Sequence, residues 1–165
     1  MQTPNEQLSA DLAAVGAAIG RIPSGCAILT ATHGGTSTGM LASWIQQASF
    51  EPPCVSVCVK RGRPIAGLIE GSGRFALNLV GDPPTTLFKH FGKGFSLDED
   101  AFAGLSVSPS EFGPLLGSAI ARLCCRVLTR VSVGDHDAYF GQVVVADGAV
   151  GATPYVHLRK SGLNY

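Results

Sequence analysis

The sequence predicts a mainly β domain: an antiparallel sheet closed or partly closed into a barrel, with a few short helices. Three observations carry this. Short runs rich in β-branched and small apolar residues recur, and glycine, proline and aspartate turns separate them. The segments between those runs do not alternate regularly with helical patterns, so a doubly wound parallel sheet is the weaker reading. Val55, Val57 and Val59 alternate with Ser56 and Cys58, the two-residue period of a half-buried strand.

The chain opens with Thr3-Pro4-Asn5-Glu6, a capping-box pattern with proline at the first helical position. Leu8, Leu12, Val15, Ile19 and Ile22 follow at helical spacing, which predicts a helix from about Pro4 to Gly20 packed on the barrel. Pro23-Ser24-Gly25 ends it. Residues 26–31 and 36–42 read as two strands of a hairpin around His33-Gly34-Gly35. Residues 43–50 are polar and irregular, and Glu51-Pro52-Pro53 stops them. The valine alternation gives a third strand. Lys60-Arg61-Gly62-Arg63-Pro64 is a basic turn, residues 65–70 a short helix, and residues 75–80 a fourth strand.

Asp82-Pro83-Pro84 resembles an N-cap with prolines in the first turn, ahead of the helical stripe Leu87, Phe88 and Phe91. Residues 92–104 form a loop with the acidic cluster Asp98-Glu99-Asp100. Residues 120–133 and 138–146 read as long strands around the turn Gly134-Asp135-His136-Asp137. Residues 155–158 read as a last strand with a basic end at Arg159-Lys160. No internal repeat is present.

With 165 residues the chain is read as one domain. Hydrophobic residues make up 45% and charged residues 15%, a thin polar covering that points to a buried subunit interface. Formal net charge is zero, which gives neither nucleic acid nor an anionic membrane an electrostatic reason to bind. Five cysteines cannot form a fully paired framework. Cys54 and Cys58, four apart in a strand, lie about 13 Å from each other, too far to share a metal. The expected compartment is the cytoplasm. No basic n-region with an apolar h-region opens the chain, and no run of 18 apolar residues occurs.

Three segments carry candidate chemistry. Lys60, Arg61 and Arg63 place three cations and exposed backbone N–H groups in one turn, beside a helix N-terminus at Pro64. Charge plus oriented donors suit a phosphate; the alternative is a solvated basic turn. Residues 39–49 mix small and amide-bearing side chains that suit the polar edge of a planar ring; the alternative is a loop packed on the barrel. Trp44, the only tryptophan, is a core or interface residue or else a stacking platform. His136 is read as an exposed turn residue flanked by acids, which favour its charged form. It either touches a ligand or decorates the surface. His33 reads as a loop residue and His90 as structural support. His157, followed by Arg159-Lys160, reads as a subunit or phosphate contact. A GxGxxG, a Walker A sequence and an HExxH are absent, and Gly35–Gly39 has the wrong register for a nucleophile elbow.

Several stretches together resemble the flavin reductase-like, FMN-binding split-barrel family. They are residues 19–25, Gly39-Met40-Leu41-Ala42-Ser43-Trp44, Gln47-Ala48-Ser49-Phe50-Glu51-Pro52-Pro53, Phe75-Ala76-Leu77-Asn78, Lys89-His90-Phe91, Gly134-Asp135-His136 and His157-Leu158-Arg159-Lys160. Within that family the likeness is greatest to the flavin reductase module at the C-terminal end of flavodiiron proteins of oxygenic phototrophs. It covers roughly residues 16–165 and is specific because several motifs occur in order.

The resemblance implies a six-stranded antiparallel split barrel that forms a homodimer with FMN at the interface, FAD being the alternative. It implies that Ala42, Ser43, Trp44, Ile45, Gln46, Gln47 and Ser49 line the ring and ribityl groups, and that Lys60, Arg61 and Arg63 hold the phosphate. It places His136 near the flavin or the incoming nicotinamide, as the catalytic residue. The implied activity is that of an NAD(P)H-dependent flavin reductase, passing electrons from NADH or NADPH through FMN to a downstream acceptor protein. The alternative is an FMN-binding electron carrier without nicotinamide turnover. Many family members carry Thr-Ala-Asn-Ser where this chain has Leu41-Ala42-Ser43-Trp44, so backbone contacts carry over more readily than side-chain ones. Flavodiiron proteins also carry a diiron domain, which this sequence lacks; a standalone relative is expected.

Overall fold

The computed structural model describes residues 11–84 and 86–163. They fall into two units, residues 24–156 and the terminal segments 11–23 with 157–163.

In the terminal unit, helix α1 (Leu12–Ile19) is capped by Asp11, whose carboxylate accepts the N–H groups of Ala13 (3.0 Å) and Ala14 (3.4 Å). Asp11 is extended, so the helix does not run continuously from Pro4 as the spacing predicted. The capping box at residues 3–6 lies outside the described residues. The C-terminal segment crosses α1 at Gly16, whose carbonyl accepts the Gly162 N–H at 2.7 Å. A Cβ at Gly20 would come within 2.7 Å of the Arg159 carbonyl oxygen, a backbone atom, so the close approach of the two segments there requires glycine.

The second unit is built on β pairing. Strands β1 (Ala27–His33) and β2 (Thr36–Ala42) form a hairpin with Gly34 and Gly35 both at positive φ, 57° and 79°. Two such residues give the turn whose twist matches that of the strands. Then come β3 (Ile45–Ser49), β4 (Cys54–Lys60), helix α2 (Pro64–Ser72), β5 (Arg74–Leu79) and helix α3 (Thr86–Gly92). A small ribbon, β6 (Val107–Ser108) with β7 (Leu115–Leu116), precedes the long hairpin of β8 (Ala121–Val133) and β9 (His136–Gly148).

All pairings are antiparallel, and the main sheet has seven strands in the order β2-β1-β5-β8-β9-β4-β3. The mainly β antiparallel class is as the sequence predicted; the sheet has one strand more than the resemblance implied and is not closed. The additional strand is β3, inside the stretch read as irregular. Its Gln46, Gln47 and Ala48 are exposed, because it lies at the edge and pairs only with β4, through Ile45↔Val57, Gln46↔Ser56 and Gln47↔Val55. An edge strand needs no apolar alternation, so its sequence resembles a loop.

Three other expectations change. Thr86 opens α3, so Asp82 lies upstream of the cap position. Residues 155–158 form no strand; Pro154 makes an isolated bridge with Gly81. β9 begins at His136, which leaves Gly134-Asp135 as the whole turn.

Burial follows the alternation. Leu29, Val57, Val59, Phe75, Leu77 and Tyr139 meet Ile65, Leu68 and Ile69 of α2 in one core. Ile28, Val80, Leu87, Phe91 and Leu116 form a second. β1 is buried on both faces from Ala27 to Ala31, which explains why its sequence there lacks a polar–apolar alternation. Buried Asn78 ties β1 to the β7 segment. Its amide nitrogen donates to the Ile28 carbonyl (3.2 Å), Thr30 Oγ1 (3.3 Å) and the Pro114 carbonyl (3.4 Å), and its oxygen accepts the Leu116 N–H at 2.8 Å. Among the described residues no helix is long and apolar enough to cross a membrane.

Candidate functional site

Strand parity decides which candidates meet. On β4, Val57 and Val59 face the core, at 0% and 1% exposure. Ser56, Cys58 and Lys60 therefore point to the opposite face. Antiparallel register sets Lys60 beside His136 and Cys58 beside Ala138 of β9. Just before β3, the Trp44 carbonyl accepts the Cys58 N–H at 3.0 Å. The indole thereby reaches the same face, where its ring lies 4.4 Å from the imidazole of His136, tilted by 36°.

His136 is only 8% exposed, which corrects the reading of an exposed turn residue: it is the first residue of β9, and Trp44 covers it. His136 Nδ1 lies 2.7 Å from Asp135 Oδ1. A carboxylate oxygen only accepts, so Nδ1 carries the hydrogen. That hydrogen bond holds the Asp135 carboxyl below the usual carboxylate range, assisted by the charges of His136 and Lys60. Lys60 Nζ stands 3.8 Å from the other Asp135 oxygen, in an exposed pair.

The basic turn is laced to the β8–β9 turn. The Arg61 N–H donates to the Asp135 carbonyl at 3.0 Å, and the Arg61 guanidinium bonds the Gly134 carbonyl. Gly62 supplies the positive φ of 82° that turns the chain. Arg63 is the N-cap of α2 and makes no side-chain capping bond there; Pro64 follows at the first helical position. Lys60, Arg61 and Arg63 are all exposed. Three exposed cations thus stand in the four residues before a helix N-terminus that its own N-cap side chain does not close, a composition that suits a phosphate.

The segment 42–49 is split. Ala42 is buried in the core and Ile45 packs against it. Ile45, Gln46 and Gln47 border a pocket of about 290 Å³ whose inner wall is apolar, including Val55, Leu79 and Leu123. Ser43 is half-buried, and Ser49 pairs with Cys54 past a bulge. Trp44, Lys60 and His136 therefore lie together and Arg61 is tied to the adjoining β8–β9 turn, whereas Arg63 is near them through the chain at the start of α2 and Ala42 and Ile45 face inward. Asp135 adjoins this cluster; the sequence reading gave it only as an acid flanking His136, and the structure bonds it to that ring. His90 is structural, as read: Nε2 lies 2.9 Å from the Ala101 carbonyl, and the ring packs against Phe91 and Phe95.

Comparison with known proteins bears on this arrangement. Residues 19–161 match the family described as flavin reductase like domain. The chain is 42% identical over 153 residues to diflavin flavoprotein A 1 of Synechocystis, an alignment covering 90% of this chain and 26% of that protein. It spans about a quarter of the length of the curated relatives it matches. Nitrilotriacetate monooxygenase component B of Mycobacterium thermoresistibile superposes with a TM-score of 0.75 at 28% identity, over 86% of this chain and 79% of that one. An NADH:FAD oxidoreductase of Streptomyces globisporus shares the fold, with a TM-score of 0.79 at 23% identity over 87% and 88% of the two chains.

Proposed function

The chain belongs to the flavin reductase-like domain family, and from that premise we propose that it binds FMN between two copies of itself and passes electrons to it from NADH or NADPH. One observation carries the reading. Register sets Lys60 beside His136 on the face that carries the Trp44 indole, and Arg61, Arg63 and the start of α2 follow Lys60 directly in the chain. Cations, backbone donors and aromatic surface are the components that a phosphorylated planar ring requires.

In this reading Lys60, Arg61 and Arg63 hold the phosphate. Ser43, Gln46, Gln47 and Ser49, with the backbone between them, hold the polar edge of the ring. Bound there, FMN supplies the two-electron chemistry, and no side chain need act as acid or base. Nicotinamide is oriented by His136, whose ring Asp135 and Trp44 hold. Exposed Leu128, Val131, Val133 and Val145 along β8 and β9 support the second copy, which would take that apolar surface out of water.

The test compares FMN with riboflavin, which lacks the phosphate, on the Lys60→Ala/Arg61→Ala variant. Loss of two charge-assisted contacts weakens FMN binding by roughly 100-fold and leaves riboflavin within about twofold. Unchanged FMN affinity would sink the phosphate assignment. Rapid mixing of the flavin-loaded protein with NADH and with NADPH separates reductase from carrier: a carrier keeps its yellow absorbance.

A further inference from the structure

Trp44 stands where the resemblance left side-chain contacts open, and its surroundings give it a task of its own. Its backbone is fixed to β4 through the Cys58 N–H at 3.0 Å. Its indole covers one face of His136 at 4.4 Å. The same imidazole is held at Nδ1 by Asp135 at 2.7 Å. Asp135 itself is highly exposed, its side chain 71% accessible, on a two-residue turn. A hydrogen bond to so exposed a carboxylate is a weak constraint on a ring, because water competes for the carboxylate. The second constraint is the indole, which blocks rotation of the imidazole about χ2 by contact across its face.

We infer that Trp44 is a positioning residue for His136, clamping the imidazole so that Nδ1 stays on Asp135 and the ring keeps one orientation at the site. This rests on the proposed function for its kinetic consequence only; the clamp is a property of the protein without ligand. Its role in the site is thus exerted through His136, in addition to any contact that the indole makes with a bound ring.

The experiment uses the full chain labelled with ¹⁵N in histidine, as wild type, Trp44→Ala and Trp44→Phe. Nitrogen chemical shifts of His136 give the tautomer of the neutral ring, and the same samples give KM and kcat for NADH and NADPH. In the wild type the hydrogen sits on Nδ1. Trp44→Ala yields a mixture of tautomers and raises the nicotinamide KM by about fivefold, the size of an aromatic pair, a larger change than that in kcat. Trp44→Phe, which keeps an aromatic face, restores the Nδ1 tautomer. A His136 tautomer unaltered in Trp44→Ala overturns the inference, whatever the kinetics do. Absence of turnover in every variant, wild type included, refutes the reductase reading instead, and the tautomer still decides whether Trp44 holds His136.

Discussion

Replacing Asn78 tests the packing logic of the sheet, because the isosteric change should do more harm than truncation. Asn78 is fully buried. Its nitrogen faces three oxygens, those of Ile28, Thr30 and Pro114, and its oxygen meets the Leu116 N–H. This is the amide orientation that satisfies all four. Asn78→Ala orphans the Leu116 N–H and removes one donor from the Ile28 carbonyl, while the Pro114 carbonyl keeps the Thr30 hydroxyl at 2.9 Å. One buried donor left unpaired, together with the lost acceptor contacts, amounts to about 3 kcal/mol. For 165 residues, an unfolding entropy of about 2.1 cal/mol/K per residue converts this to a fall in Tm of roughly 9 °C. Asn78→Asp keeps the bond to Leu116 but turns a carboxylate oxygen toward two carbonyl oxygens and a hydroxyl whose hydrogen is already given to Pro114. It must either bury a charge against them or take up a proton and serve only one, so its cost exceeds that of alanine. Urea unfolding at pH 7, followed by Trp44 fluorescence and far-ultraviolet circular dichroism, measures both variants. An aspartate variant as stable as the alanine variant, or an alanine variant within about 1 kcal/mol of wild type, would refute the reasoning.

Two further predictions concern titratable groups. Burial pushes the Cys26 thiol up to about 11 and the Cys125 thiol up to about 12, so in the native protein at pH 8 neither reacts with a disulfide reagent until the chain unfolds. Labelling of Cys125 faster than global unfolding would contradict its place in the core. The Asp135 carboxyl is depressed by its bond to His136, so its contribution to stability is complete above about pH 4 and is lost as pH falls through the lower folded value. Acid unfolding of Asp135→Asn should lack that component of the acid limb. An acid limb identical to that of wild type would show that the bond contributes nothing.

What could be read in the sequence was whatever rests on neighbouring residues. The Gly34-Gly35 hairpin, the valine alternation of β4 and the proline start of α2 each announce themselves within a few positions, because turn sterics and strand parity are local. The basic turn was visible for the same reason. β3 was not, because Gln46 and Gln47 face water from an edge strand and so carry no apolar period. The first turn of α1 was misplaced because Leu8 and Leu12 keep helical spacing across Asp11, and apolar period alone does not show where a side chain caps the backbone.

The site divides in the same way. Lys60, Arg61, Arg63, Trp44 and His136 could be named as candidates, each from its own segment, and the family resemblance ordered them. Their association depends on the register of β4 against β9 and on the bond between Trp44 and Cys58, which pair residues from distant parts of the chain. Only that pairing puts the indole on the imidazole and buries a histidine that its flanking acids made look exposed, while the β1–β2 and β3–β4 pairings turn Ala42 and Ile45 inward. Composition and local pattern determined that this protein is an antiparallel β domain with a basic turn ahead of a helix. Long-range register decided what that turn faces, because parity along a strand is written in the sequence while the partner beside it is chosen by the packing of the whole sheet.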